Sequence, residues 1–434
     1  RACCFENTMN LLRPSSLFLG LVVVFSSLTP LPAAQAADAP QSESSGFSQT
    51  RLTGLDRLFD DYVARGQIAG AVVHIRRDGR LVLEKSYGMQ DVEAGKPMPT
   101  DAIFRIASMS KAVTTTAAMI LYEEGKFLLN DPIEKYLPEF ANRQVAVPPP
   151  AGSPAHVKYV LVPAKRSITI RDLMRHTAGL TYGDGPAREL YEKAGFTWWY
   201  FANRDETIGD AVKRLAELPL QGQPGEVWQY GYSTDVLGRL IEVVSGQPLD
   251  RFIEDRVCKP LGMVDTCFFL PPEKAGRLAP VYKLVDGKIV LDETSEKSDY
   301  VHGPRKCFSG GAGLLSTASD YGRLIQMLLN GGELDGVRLL SPKTVELMHT
   351  NQTGDKYAQE TNAFGLGFWV LEDLGYYGEL GSEGAYGWSS AYYPHYVIDP
   401  KERLAFLFMT QLHGGWNTGL AQKFKVQVYQ ALEN

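Results

Sequence analysis

Cysteine is scarce in this chain, five in 434 residues, and Cys3 and Cys4 fall in an N-terminal stretch set aside below, which leaves Cys258, Cys267 and Cys307. Three thiols cannot all pair, so no disulfide framework is expected; buried free thiols are the simpler reading, with Cys258 to Cys267 the pairing an oxidising compartment would allow. Histidine is scattered as well, seven in all, with no H-E-x-x-H and no zinc-like spacing, so no metal is expected. Long basic runs and Lys/Arg stripes interleaved with aromatics are missing, and the formal charge of −6 is spread along the chain, which argues against nucleic acid as a partner. The G-x-S-x-G elbow of α/β-hydrolases is missing too. Its nearest approach, Gly387-Trp388-Ser389-Ser390-Ala391, ends in Ala and lies in a strand-like run, so a Ser–His–Asp triad has no anchor. There is no internal repeat and no low-complexity array.

Apolar runs long enough to span a bilayer are absent around the one N-terminal candidate, Leu17 to Phe25. With Arg13 before it and Ala34-Gln35-Ala36 after it, residues 9–36 read as a signal peptide cleaved near Ala36, and residues 1–8 are set aside. The expectation is a soluble acidic protein, secreted or periplasmic, with no stable membrane anchor after cleavage. Nothing in the sequence sets its oligomeric state.

What is present is enough apolar material for a large core: 44% hydrophobic and 22% charged residues. After a polar linker at 37–50, Leu52, Leu55, Leu58, Phe59, Tyr62 and Val63 recur at helical spacing. AGAVVHIRR and RLVLEKSYG then flank Asp78-Gly79, a two-residue hairpin turn. The run SMSKAVTTTAAMILYEEGK predicts a buried helix beginning at or just before Ser108 and stopping at Gly125. Helical patterns dominate up to about residue 300. Strand patterns return in AFGLGFWVLE, SAYYPHYVID and RLAFLFMTQ, and a last helix opens near Thr418. Strands joined without helical crossovers predict an α/β protein of the α+β type, with a largely antiparallel sheet flanked by the N- and C-terminal helices and a mainly helical insertion.

Ser108-Met109-Ser110-Lys111 is the one S-x-x-K in the chain. On a helix, residues three apart share a face, so Lys111 can stand beside the Ser108 hydroxyl, which is a poor nucleophile until a neighbour takes its proton. A helix start also supplies N–H groups and positive potential for an oxyanion. In PGEVWQYGYSTDVLG, Tyr230 is the candidate proton partner and Tyr232 its rival. Trp198, Trp199 and Tyr200 and the Pro-rich segment 147–154 would either wall a cleft or pack in the core, and His176 reads as structural.

The ordered set S-x-x-K, RHTAGLTYG, PGEVWQYGYSTDVLG, SGGAGLLSTASDYGRL and GWSSAYYPHYVIDPKERLAFLFMTQ resembles the serine β-lactamase and penicillin-binding-protein superfamily. Within it, the chain is most similar to class C β-lactamases and the related family VIII carboxylesterases, over about residues 50 to 430. The resemblance implies a sheet domain (47–107 and 300–434), a mainly helical domain (108–299) and an active site between them. It implies Ser108 as nucleophile, with Lys111 and Tyr230 as its partners. Tyr230 precedes the Gly of D-V-L-G by the family's eight residues, and Tyr232 does not. Backbone N–H groups of Ser108 and Ala391 would form the oxyanion hole, while Tyr182, Tyr232, Trp388, Ser389 and Ser390 would bind substrate. Trp388-Ser389-Ser390 stands where lactamases carry K-T-G and many of these esterases W-G-G. Trp in place of Lys removes the cation that holds an antibiotic carboxylate and favours an esterase, whereas Ser-Ser in place of Gly-Gly leaves the width of the pocket open. The expected activity is a serine carboxylesterase acting without cofactor on small esters of short to medium acyl chain. The alternatives are a β-lactamase or D-alanyl-D-alanine peptidase, an acyltransferase, and a non-catalytic binding relative.

Overall fold

A computed structural model describes residues 46–357 and 362–433; the expected signal peptide at 9–36 lies outside them. Helix α1 (Gln49–Ala64) buries Leu52, Leu55, Phe59 and Tyr62 at the spacing that predicted it. The chain then forms the hairpin β1 (Gly70–Arg77) and β2 (Arg80–Asp91). Asp78 and Gly79 between them have φ of 52° and 76°, the left-handed pair a two-residue turn demands. A short edge strand, β3 (Lys96–Pro97), follows.

The other strands of the sheet come late in the chain: β4 (Asn362–Phe364), β5 (Trp369–Leu371), β6 (Tyr386–Ser389), β7 (His395–Asp399) and β8 (Leu404–Met409). Together they make one eight-stranded sheet ordered β4-β5-β6-β7-β8-β1-β2-β3. Every neighbouring pair is antiparallel, as the hairpin pattern predicted.

Both faces of this sheet are covered, which explains why RLAFLFM reads as a continuous apolar run instead of alternating. Successive side chains of a strand point to opposite faces. Leu404, Phe406 and Phe408 of β8 join Val73 and Ile75 of β1 in a cluster with Leu55 and Phe59 of α1. Ala405, Leu407 and Met409 belong to the larger cluster on the other side. That cluster is built from α2 (Ser110–Glu123), α3 (Ser233–Ser245) and α4 (Ala318–Leu329) with the shorter helices of the middle of the chain. The C-terminal helix α5 (Leu420–Tyr429) adds Phe424 and Val428 to the α1 side. α4 approaches the sheet closely at Gly322, where any Cβ would strike the His74 ring of β1.

A smaller hairpin, Val281–Val285 with Lys288–Glu293, pairs in parallel with Leu412–His413 just beyond β8. Cys258 and Cys307 are buried, Cys267 is partly buried, and all three are free thiols. Among the described residues no helix is long and apolar enough to cross a membrane.

Candidate active site

Ser108 sits in a single 3-10 turn, Ala107–Met109, that runs directly into α2. The residue before it, Ala107, has φ of 35°, a conformation side chains disfavour, and the small methyl keeps that strain tolerable. Ser108 is thus presented at a helix start, close to where the helical spacing put it.

Lys111 lies one turn further on and is buried, not solvent-facing. Its Nζ is 3.4 Å from Ser108 Oγ and donates to Tyr182 Oη at 3.1 Å and to the Gly311 carbonyl at 2.8 Å. It also stands 4.5 Å from the centre of the Tyr230 ring. Among the described residues no carboxylate forms an ion pair with Lys111. One buried acid acts through the backbone: Asp235 accepts from Ser309 Oγ at 2.5 Å and from Gly311 N–H at 3.1 Å, so it anchors the residue whose carbonyl receives the lysine. Burial raises the Asp235 carboxyl above the usual range, against the hydrogen bond from Ser309 and the charge of Lys111.

The two tyrosines near Lys111 differ in setting. Tyr182 is pushed well above the ordinary phenol range by burial and by Tyr230 and Asp235, so it remains a neutral hydroxyl beside the lysine. Tyr230 lines the cavity, and its oxygen accepts from Trp388 Nε1 at 3.2 Å. The segments carrying them can meet because residue 231 is Gly; a Cβ there would collide with the backbone of Leu180 and Thr181. His176 backs the Tyr230 ring at 4.8 Å, is fully buried, and is held well below the ordinary imidazole range by burial and by Lys111.

These groups open onto a cavity of about 700 Å³ lined by Ser108, Tyr182, Tyr230 and Trp388, and further on by Ser389, Ser390 and Ala391. The Ala391 N–H makes no backbone hydrogen bond among the described residues. Ser390 reaches the cavity from a tight turn: its N–H donates to Pro394 O at 3.0 Å and its Oγ accepts from Tyr392 N–H at 3.2 Å. Its side chain is therefore spent on the turn, which is how Ser stands where the esterase pattern has Gly. Tyr232 does not reach the cavity. It lies fully buried behind Tyr182, at 4.8 Å between ring centres, and its hydroxyl donates to the Trp198 carbonyl. Its expected contact with substrate is replaced by support of the wall.

Trp198 and Trp199 do line the cavity; Tyr200, which bonds Asp299, and the Pro-rich segment 147–154 do not. Sequence reasoning missed His413, Gly414 and Trp416, which form the wall beyond β8. No motif marks them, because they lie far along the chain from the serine. Among the described residues no group of acids, His and Cys is placed to hold a metal ion.

The β-lactamase family model matches residues 55–427. The chain is 37% identical over 361 residues to protein Rv1367c of Mycobacterium tuberculosis, covering 80% of this chain and 86% of that one. It is 30% identical over 377 residues to esterase EstB of Burkholderia gladioli, covering 82% and 89%. Among solved structures, EstCE1, described as a hydrolase with promiscuous acyltransferase activity, superposes with a TM-score of 0.76 at 26% identity, covering 89% of this chain and 99% of that one. A match over most of the sequence, a shared fold and a serine with a buried lysine one helical turn away make this chain a member of the β-lactamase family, a serine hydrolase with esterase relatives.

Proposed function

We propose that the protein is a serine carboxylesterase working through an acyl-enzyme on Ser108. The observation that carries this reading is the burial of Lys111 between Ser108 Oγ, Tyr182 Oη and the Gly311 carbonyl at one side of an aromatic cavity. A lysine held there, with its Nζ over the Tyr230 ring, supports Tyr230 as the group that takes the Ser108 proton. Ser108 Oγ attacks the ester carbonyl, and the N–H groups of Ser108 and Ala391 receive the oxyanion. Tyr230 passes the proton to the departing alcohol. Water, deprotonated by the same group, then cleaves the acyl-enzyme and restores Ser108.

Ester is favoured over β-lactam by Trp388. Where lactamases present a cation to the antibiotic carboxylate, this cavity presents an indole, and no Lys or Arg lines it among the described residues. Replacing Ser108 by Ala is expected to abolish hydrolysis of nitrophenyl butyrate and labelling by a fluorophosphonate, with circular dichroism unchanged. Retained turnover rejects the assignment. Nitrocefin, run beside the ester, is expected to be a far poorer substrate.

Acyl transfer is the second reading, favoured by a cavity roomy enough for an acceptor alcohol beside the acyl group. Addition of a primary alcohol to the butyrate assay distinguishes the two: a transferase releases butyrate ester in place of butyric acid.

A further inference from the structure

One polar side chain stands out in the cavity beyond the serine, lysine and tyrosine cluster. His413 lines the wall with Trp198 and Trp416, and no Asp, Glu, Lys or Arg joins it there among the described residues. The two indoles are 61% and 50% exposed, large flat surfaces left open on the cavity wall. Exposed tryptophans of this kind offer a stacking face to a ring.

The imidazole is fixed from three directions. Its Nδ1 is 2.9 Å from Asp292 Oδ2, its face stacks on Tyr392 with ring centres 4.7 Å apart, and its backbone pairs with Lys283 of the small hairpin. Asp292 is itself bridged to Lys283 Nζ at 2.8 Å. Burial acts to raise the Asp292 carboxyl, but the hydrogen bonds from Lys283 and His413 outweigh it and hold the group below the usual carboxylate range. An ionised carboxylate only accepts, so in the neutral ring the proton sits on Nδ1 and the lone pair on Nε2. Nε2 makes no hydrogen bond among the described residues, although the side chain is 39% exposed. A ring held this firmly, with its accepting nitrogen unspent, is organised to meet a donor.

We propose that His413 sets the substrate preference of this cavity, accepting a hydrogen bond from a hydroxyl on a flat apolar ring that lies against Trp198 and Trp416. The substrate class is then an ester with a hydroxylated aromatic ring, the hydroxyl remote from the scissile carbonyl. This deepens the carboxylesterase reading and rests on it. Asp292 acts as a positioning residue, through the ring it orients.

The test uses the full chain and two matched pairs, methyl 4-hydroxyphenylacetate against methyl phenylacetate and 4-hydroxyphenyl acetate against phenyl acetate. One hydrogen bond of ordinary strength predicts a preference of roughly tenfold in kcat/KM for the hydroxylated member of at least one pair, expressed in KM. His413→Phe is expected to bring that ratio close to one. Asp292→Asn, outside the cavity wall, is expected to reduce it as well, which keeps the test intact if the first variant folds poorly. Fluorophosphonate labelling of Ser108 reports a folded site in each variant. Equal rates within both pairs for the wild type overturn the proposal, as does a ratio that survives His413→Phe. A fall in kcat shared by both members also overturns it, because His413 would then move a proton and not recognise a ring. Wild-type turnover without discrimination defeats this inference alone; no turnover of any ester, nitrophenyl butyrate included, defeats the esterase reading with it.

Discussion

At the scale of the residue, Lys111 is a buried ammonium whose neighbours are neutral oxygens: a phenol, a peptide carbonyl and the serine hydroxyl. Such an arrangement keeps the charge close to the reacting atoms instead of quenching it against a carboxylate. It also divides the work of the two tyrosines. Tyr230→Phe removes the proposed proton carrier and is expected to lower kcat by several orders of magnitude, whereas Tyr182→Phe removes one neutral partner of Lys111 and is expected to cost roughly ten- to a hundredfold. Steady-state kinetics on nitrophenyl butyrate checks both, and equal losses would refute the division. Asp235→Ala strips the partner from Ser309 Oγ and from the Gly311 N–H. Each buried group left unpaired costs about 1–3 kcal/mol, so a lower melting temperature and a loss of activity are expected together. The S-x-x-K spacing made Ser108 and Lys111 legible in advance, because one turn of helix is a local rule. Asp235 was not legible, since its role depends on where residues 309–311 cross it.

The elements show how the site is braced. The short helix Ile170–Met174 opens with a capping box, Thr169 with Asp172, just upstream of the His176 to Tyr182 segment. Asp172 is fully buried and accepts from Arg166, Arg175, Thr177 and the Thr169 backbone. Burial alone would raise its carboxyl, but those hydrogen bonds prevail and hold it well below the carboxylate range. A depressed folded value means the stabilisation is complete above the unfolded value, near about 4, and is lost as pH falls below it. Asp172→Ala leaves two arginines without their anion and is expected to cost about 3–5 kcal/mol in denaturant unfolding. A change within a few tenths would show the brace to be slack. The hairpins, the α2 start and the terminal helices were all legible because turn residues and apolar periodicity report local geometry. Ser390 was harder to read: only the turn through Pro394 explains how Ser serves where Gly was expected.

Over the whole molecule, the balance of buried imidazoles sets its behaviour in acid. His395, the first residue of β7 and paired with Phe408 of β8, is pushed down to about 3 by burial and by Lys425, and His176 also lies well below its ordinary value. The unfolded chain takes up these protons from about pH 6.5 downward while the folded chain refuses them, so stability is full above that value and declines beneath it. The slope is about 1.4 kcal/mol per pH unit for each such ring, and thermal melts at about pH 7 and pH 5 are expected to differ by several degrees, the lower pH being less stable. Export is proposed on the composition of residues 9–36; a mature chain beginning near Ala37, read by mass spectrometry of the expressed protein, tests it. By itself the sequence determined whatever rests on short-range periodicity: an antiparallel sheet with helices at both chain ends, and a serine and a lysine on one helical face. The family spacing had already picked Tyr230, but only the tertiary structure showed that Tyr232, expected to meet substrate, backs the wall instead. Tertiary structure alone brought His413 and Trp416 beside Trp198. The physical reason is that burial and contact between distant segments depend on how the chain crosses itself, and no spacing along the polymer encodes that crossing.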